Sequence, residues 1–83
     1  MTDATLQLNI ISAEKSLFSG EVVSIVLPGT LGKFGVFPNH TAFISSLQKG
    51  EIVYTLPGGK IESIEVKGGI VEVIRNTATV CVM

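Results

Sequence analysis

Apolar and polar residues alternate with a period of two along most of this chain. Leu6, Leu8 and Ile10 point one way while Gln7 and Asn9 point the other, the pattern of a half-buried strand. Residues 21–27 are rich in β-branched side chains and run into Pro28-Gly29, predicting a strand stopped by a turn. Residues 51–56 form a similar run ended by Pro57-Gly58-Gly59, and residues 60–66 return across it, predicting a hairpin. Gly68-Gly69 sets off residues 70–74, and Arg75-Asn76 turns the chain into residues 77–82. Turn signals recur about every 8–12 residues, the spacing of a sandwich or barrel. Residues 13–18 are compatible with one helical turn, cut short by Ser19-Gly20. The pattern predicts an all-β single domain over residues 1–83.

One segment breaks the monotony. Gly32-Lys33-Phe34-Gly35-Val36-Phe37-Pro38-Asn39-His40-Thr41-Ala42 holds two glycines, a proline, two aromatics and the one histidine. Its glycines permit sharp turning and Pro38 restrains the backbone. This predicts a shaped, apolar loop.

Composition sharpens the picture. Hydrophobic residues make up 46% of the chain and mean hydropathy is +0.53. A domain of this size buries only roughly 60–65% of its unfolded surface, so another protein is expected to cover some of the excess. The formal net charge is -1, and the cations Lys15, Lys33, Lys49, Lys60, Lys67 and Arg75 are scattered among acids. Nucleic-acid binding, which calls for a clustered basic stripe, is not expected. No apolar run approaches the roughly 20 residues of a membrane helix, and the first residues lack a secretory pattern. The expectation is a soluble intracellular domain without membrane insertion. Cys81 is the single cysteine, so an internal disulfide is impossible. It reads as a small strand residue in a reducing compartment.

Catalytic chemistry finds little to work with. Glu62 and Glu65 fall on opposite faces of one strand because their separation is odd, and Glu72 sits between Val71 and Val73 as a solvent-facing residue would. A Ser-His-Asp arrangement would depend on Asp3 in the terminal segment. Gly29-Thr30-Leu31-Gly32-Lys33-Phe34 has two residues between its glycines and Phe34 after the lysine. A phosphate loop of the Walker type needs four, then Ser or Thr. No catalytic, metal or cofactor site is expected. A carrier domain modified on Lys60, which follows the Pro57-Gly58-Gly59 turn, is the alternative reading, although the Met-Lys-Met or Asp-Lys-Ala setting of such carriers is missing. For His40 two roles stand open: an ordered loop residue bonded to backbone, or a surface residue at a protein contact.

The segment Gly32 to His40, with its Gly-x-Phe-Gly-Val-Phe-Pro-Asn-His pattern, resembles the loop of the F-type ATP synthase epsilon subunit. Three further segments agree in order and spacing: residues 11–22, residues 47–52 and residues 67–73 with the strand ending at Val82. The resemblance implies a flattened β-sandwich of about ten short strands. It also implies a non-catalytic rotor component without cofactor, held by the gamma subunit at the foot of the central stalk and resting on the polar loops of the c-ring. Its place would be the cytoplasmic face of the bacterial inner membrane. Ser12, His40 and Ser45 match gamma-facing positions of the family, and Lys33 and Phe34 match the loop near the c-ring. Two positions depart: relatives often carry an acid or amide where Lys33 stands, and many carry proline where Ala42 stands. Family members usually continue into a C-terminal helical hairpin that in some bacteria binds ATP. Nothing follows Met83 here, so this chain is expected neither to bind ATP nor to act through that hairpin.

Overall fold

A computed structural model describes residues 4–83. Asp3, weighed above as a member of a triad, lies outside the described residues. Nine strands are present among them: β1 (Leu6–Ile11), β2 (Ser16–Val22), β3 (Ser24–Gly29), β4 (Gly32–Val36), β5 (Phe43–Leu47), β6 (Gly50–Thr55), β7 (Ile61–Val66), β8 (Gly69–Ile74) and β9 (Thr77–Val82). They form one curled sheet that closes into two leaves. The first leaf runs β2-β1-β9-β8-β5, and the second is β7-β6-β3 with β4 on the far edge of β3. The leaves join where Gly29 of β3 pairs with Leu47 of β5. Strand β1 lies parallel to β9, so the first and last strands among the described residues are neighbours.

The inward-facing alternate residues make the core. Leu6, Leu8 and Ile10 of β1 meet Ile25 and Leu27 of β3, Val36 of β4, Ile52 of β6, Val71 and Val73 of β8, and Val80 of β9, all buried. Each such side chain contributes roughly 1.5–3 kcal/mol by leaving water. Among the described residues the buried side chains are apolar apart from the phenol of Tyr54. The all-β class expected from the alternation is observed, and so is the sandwich implied by the resemblance, with nine strands among the described residues where about ten were implied.

Both predicted hairpins form. Thr55 pairs with Ile61 across the Pro57-Gly58-Gly59 turn. Arg75 and Asn76 both take positive φ, 50° and 59°, the two-residue turn whose twist suits adjoining strands. Glu72 is exposed between buried Val71 and Val73.

Three local expectations are corrected. The helical turn over residues 13–18 does not form. Ser12 and Lys15 close a tight turn through the Ser12 N–H and the Lys15 carbonyl at 2.9 Å, and Ser16 already pairs with β1. A single helical turn cannot offset its nucleation cost, whereas the free edge of β1 supplies partners at once. The run 21–27 is not one strand: it breaks at Val23, where the chain leaves the first leaf for the second. Nor do Pro28 and Gly29 end it, since both stay in β3, opposite Lys33 and Gly32. The turn is Thr30-Leu31. Finally, the shaped loop is shorter than its sequence signature, because its first five residues are β4 and only residues 37–42 are loop.

Candidate functional site

An aromatic seam closes the sandwich where β4 and β5 face each other. Phe34 and Phe43 face inward from those strands and meet edge to face, 5.7 Å between ring centres. His40 then packs edge-on against Phe43 at 4.9 Å. Such arrangements suit the ring quadrupoles. The His40 Nδ1 lies 2.7 Å from the Thr41 carbonyl oxygen. A carbonyl only accepts, so Nδ1 is the donor in this bond. His40 is thus tied to backbone and exposed at the same time, which meets the geometric demand of both roles left open for it.

Phe37 stands on the other side of β4. Gly35 alternates with the inward Phe34 and Val36, so its missing side chain would project outward, and there it would meet the Phe37 ring at 3.4 Å. Phe37 remains 62% exposed. Its ring lies beside Gly35, which pairs with Val26, itself paired with Val53. Together with Ile61, which is largely exposed, these residues give the second leaf an apolar outer face. The first leaf has one too, made of Ile11, Ile44, Ile70 and Ile74. Register places Ile11, Cys81 and Ile70 side by side, and Cys81 is exposed among them. A polar patch adjoins them, in which Ser19 Oγ and Gln7 Nε2 both donate to Asn9 Oδ1, at 2.9 and 3.0 Å.

The residues matched to the gamma-facing side do not converge on one spot. His40 and Ser45 share the β5 region, Ser45 lying on the inner side between Phe43 and Leu47 with its hydroxyl donating to the Ser46 carbonyl at 3.3 Å. Ser12 lies beyond Ile11, at the opposite end of the first leaf, where its hydroxyl donates to the Lys15 carbonyl at 3.2 Å. Of the pair matched to the c-ring loop, Lys33 is exposed, whereas Phe34 is half-buried in the seam. Lys60 is exposed and pairs with Glu62 at 3.3 Å.

Two residues escaped the sequence reading. Leu31 at the tip of the β3–β4 hairpin is fully exposed, and the tip is pinned to β5 by the Thr30 N–H on the Ser46 carbonyl at 3.2 Å. Its signal was legible: an apolar residue in a two-residue turn between glycines has no core to enter. Asn76 was read only as a turn residue, and nothing local announces that its side chain reaches two other segments. A groove of about 420 Å³ runs along Gly69, Ile70, Cys81, Val82 and Met83, with Lys67 at its edge. Among the described residues no three His, Cys, Asp or Glu side chains are grouped as a metal site would require. The candidate site is a surface of rings and aliphatic faces carried on strands.

Comparison with known proteins accords with this. The family model described as ATP synthase, Delta/Epsilon chain, beta-sandwich domain matches residues 5–83. The ATP synthase epsilon chain of Nitratiruptor sp. is 45% identical over 78 residues, covering 94% of this chain and 60% of that protein. That of Vesicomyosocius okutanii is 43% identical over 77 residues, covering 93% and 55%. The chain thus spans little more than half the length of these curated relatives. A chain of the Euglena gracilis mitochondrial ATP synthase shares the fold with a TM-score of 0.90 at 19% identity, over 99% of this chain and 52% of that one. A chain from the central stalk and c-ring of the Tetrahymena thermophila mitochondrial enzyme shares it at 0.79 and 14%, over 100% and 66%. With the family model covering nearly every residue and the sandwich it describes present in the structure, this chain belongs to the ATP synthase delta/epsilon chain, beta-sandwich domain family.

Proposed function

We propose that this chain is a non-catalytic central-stalk element of a proton-translocating F-type ATP synthase, joining the gamma subunit to the c-ring so that ring rotation reaches the catalytic head. Family membership over residues 5–83 carries the reading. The exposed isoleucines on both leaves support it, since a permanent interface resembles a core cut in half. The chain then works at the cytoplasmic face of the bacterial inner membrane, as a peripheral part of the complex.

His40, Ser45 and Ser12 are assigned to gamma. Because Ser12 and His40 stand at opposite ends of the first leaf, that contact runs its whole length, about 20 Å for a six-residue strand. Lys33 and Phe34 are assigned to the c-ring side, where the exposed Leu31 tip makes first contact and Phe34 supports the hairpin from within.

The test mixes the purified chain with its cognate catalytic head, with and without gamma, on a sizing column. Co-elution that requires gamma is expected. A well-folded chain that elutes alone in both mixtures would leave only a shared fold.

A further inference from the structure

We propose that Asn76 is a positioning residue that holds the loop of residues 37–42 in its contact-ready shape. The inference rests on the central-stalk reading for what the loop contacts, and on the hydrogen bonds alone for how it is held.

Asn76 ends the β8–β9 turn at φ 59°, a conformation that glycine adopts most easily. The turn alone therefore does not require asparagine. What asparagine adds is an amide with both polarities. Its Oδ1 accepts the Asn39 N–H at 2.8 Å, and its Nδ2 donates to the Thr5 carbonyl at 2.8 Å. Reversing the amide would set like against like at both ends, so the two partners fix its orientation. The Asn76 carbonyl also accepts the Gln7 N–H at 3.1 Å. One half-buried residue thus ties the start of β1, the β8–β9 turn and the loop between β4 and β5 into a single joint.

The loop needs such a tie. Asn39 itself takes positive φ, 65°, which costs a non-glycine residue energy. Asn39, His40, Thr41 and Ala42 are all exposed, so burial does not hold them. The Asn39–Asn76 bond falls one residue before His40 and two after Phe37, and it sets the path of the segment that carries both. Holding the loop in advance lowers the ordering cost of binding a partner.

The two bonds can be separated. Asn76→Gly keeps the turn and removes both. Asn76→Asp keeps an acceptor for the Asn39 N–H but cannot donate to Thr5. We expect Asn76→Gly to weaken binding to the cognate gamma subunit about fivefold or more, the usual worth of a lost hydrogen bond or two, while Asn76→Asp, which keeps the bond to Asn39 but sets a carboxylate oxygen against the Thr5 carbonyl, loses clearly less. Equal affinity for all three, or equal loss in both variants, would overturn the proposal. In the unaltered chain, hydrogen exchange at the Asn39 amide should run at least about tenfold slower than at an unprotected amide, and exchange at the unprotected rate would overturn it without any variant. If the unaltered chain does not bind gamma at all, the central-stalk reading falls, and the exchange result still decides whether Asn76 holds the loop.

Discussion

The ring of Phe34 occupies the space that a side chain on Gly29 would need. A Cβ there would stand 2.7 Å from Phe34 Cε1 and 2.7 Å from the Gly32 carbonyl oxygen. The two residues are diagonal neighbours in the β3–β4 hairpin, with Leu27 opposite Phe34 and Gly29 opposite Gly32. The ring covers the backbone that glycine leaves bare. Gly29→Ala is therefore expected to displace the ring and cost about 1–3 kcal/mol, the usual size of an overpacking strain. Equilibrium unfolding in urea measures it, and an unchanged midpoint would mean that both the ring and the Gly32 carbonyl give way freely.

Phe34 and Phe37 are expected to separate stability from assembly. Phe34 is half-buried and packs on the core, so Phe34→Ala should cost about 2–3 kcal/mol, below the full range for a completely buried ring. Phe37 is exposed at the start of the loop that carries His40, so Phe37→Ala should cost under about 1 kcal/mol and instead weaken co-elution with gamma through that loop. The same column and the same urea titration applied to both variants read the two effects independently.

Two adjacent glycines test how far steric walls, rather than backbone angle, control the sheet. Gly68 and Gly69 have nearly equal φ, 148° and 153°. A Cβ on Gly69 would overlap the Cys81 carbonyl oxygen, while one on Gly68 would lie 3.3 Å from the Leu47 carbonyl. Gly69→Ala must force β8 from β9 and should cost more than about 3 kcal/mol, whereas Gly68→Ala should cost about 1–2 kcal/mol. Thermal unfolding followed by circular dichroism ranks them, and equal losses would assign the effect to φ alone.

Tyr54 makes stability depend on pH in the alkaline range. Its phenol is raised above the ordinary tyrosine value, first by burial and then by the negative charge of Glu62. The ring also packs against Phe18 at 4.4 Å. A phenol that keeps its proton in the folded chain but ionises in the unfolded one favours unfolding as pH rises. Stability is therefore unaffected below about pH 10, where both states are protonated, and falls as pH climbs from there through the raised folded value. Tyr54→Phe should flatten this decline, measured as urea midpoints across the alkaline range.

How much of this was legible in the sequence depended on whether a segment carried its own phase. In residues 70–74 both parities are apolar, yet the single Glu72 forces Val71 and Val73 inward, and the structure agrees. Residues 21–27 have no such marker. Val22 and Ile25 are both buried, three apart, so the alternation slips at Val23, and a β-branched run hides the slip. Strand β2 was illegible for another reason: it is an edge strand with a weak pattern, formed because β1 offers its free side. At the candidate site, the aromatic and glycine signature marked the segment in which the structure sets Phe34, Phe37 and His40. That Phe34 turns inward while Phe37 turns outward followed only from β4 being a strand.

Alternation and turn residues are local properties, so the sequence by itself determined the all-β class, the hairpins at Pro57-Gly58-Gly59 and Arg75-Asn76, and most of the residues that face the core. Only the tertiary structure decided the crossover at Val23, the parallel pairing of β1 with β9, the reach of Asn76 to Asn39 and Thr5, and which apolar faces stay uncovered. Each of these is a contact between segments distant in the chain. A side chain's own chemistry says that it prefers burial or a partner; which partner it meets is settled when the two leaves close over their shared core.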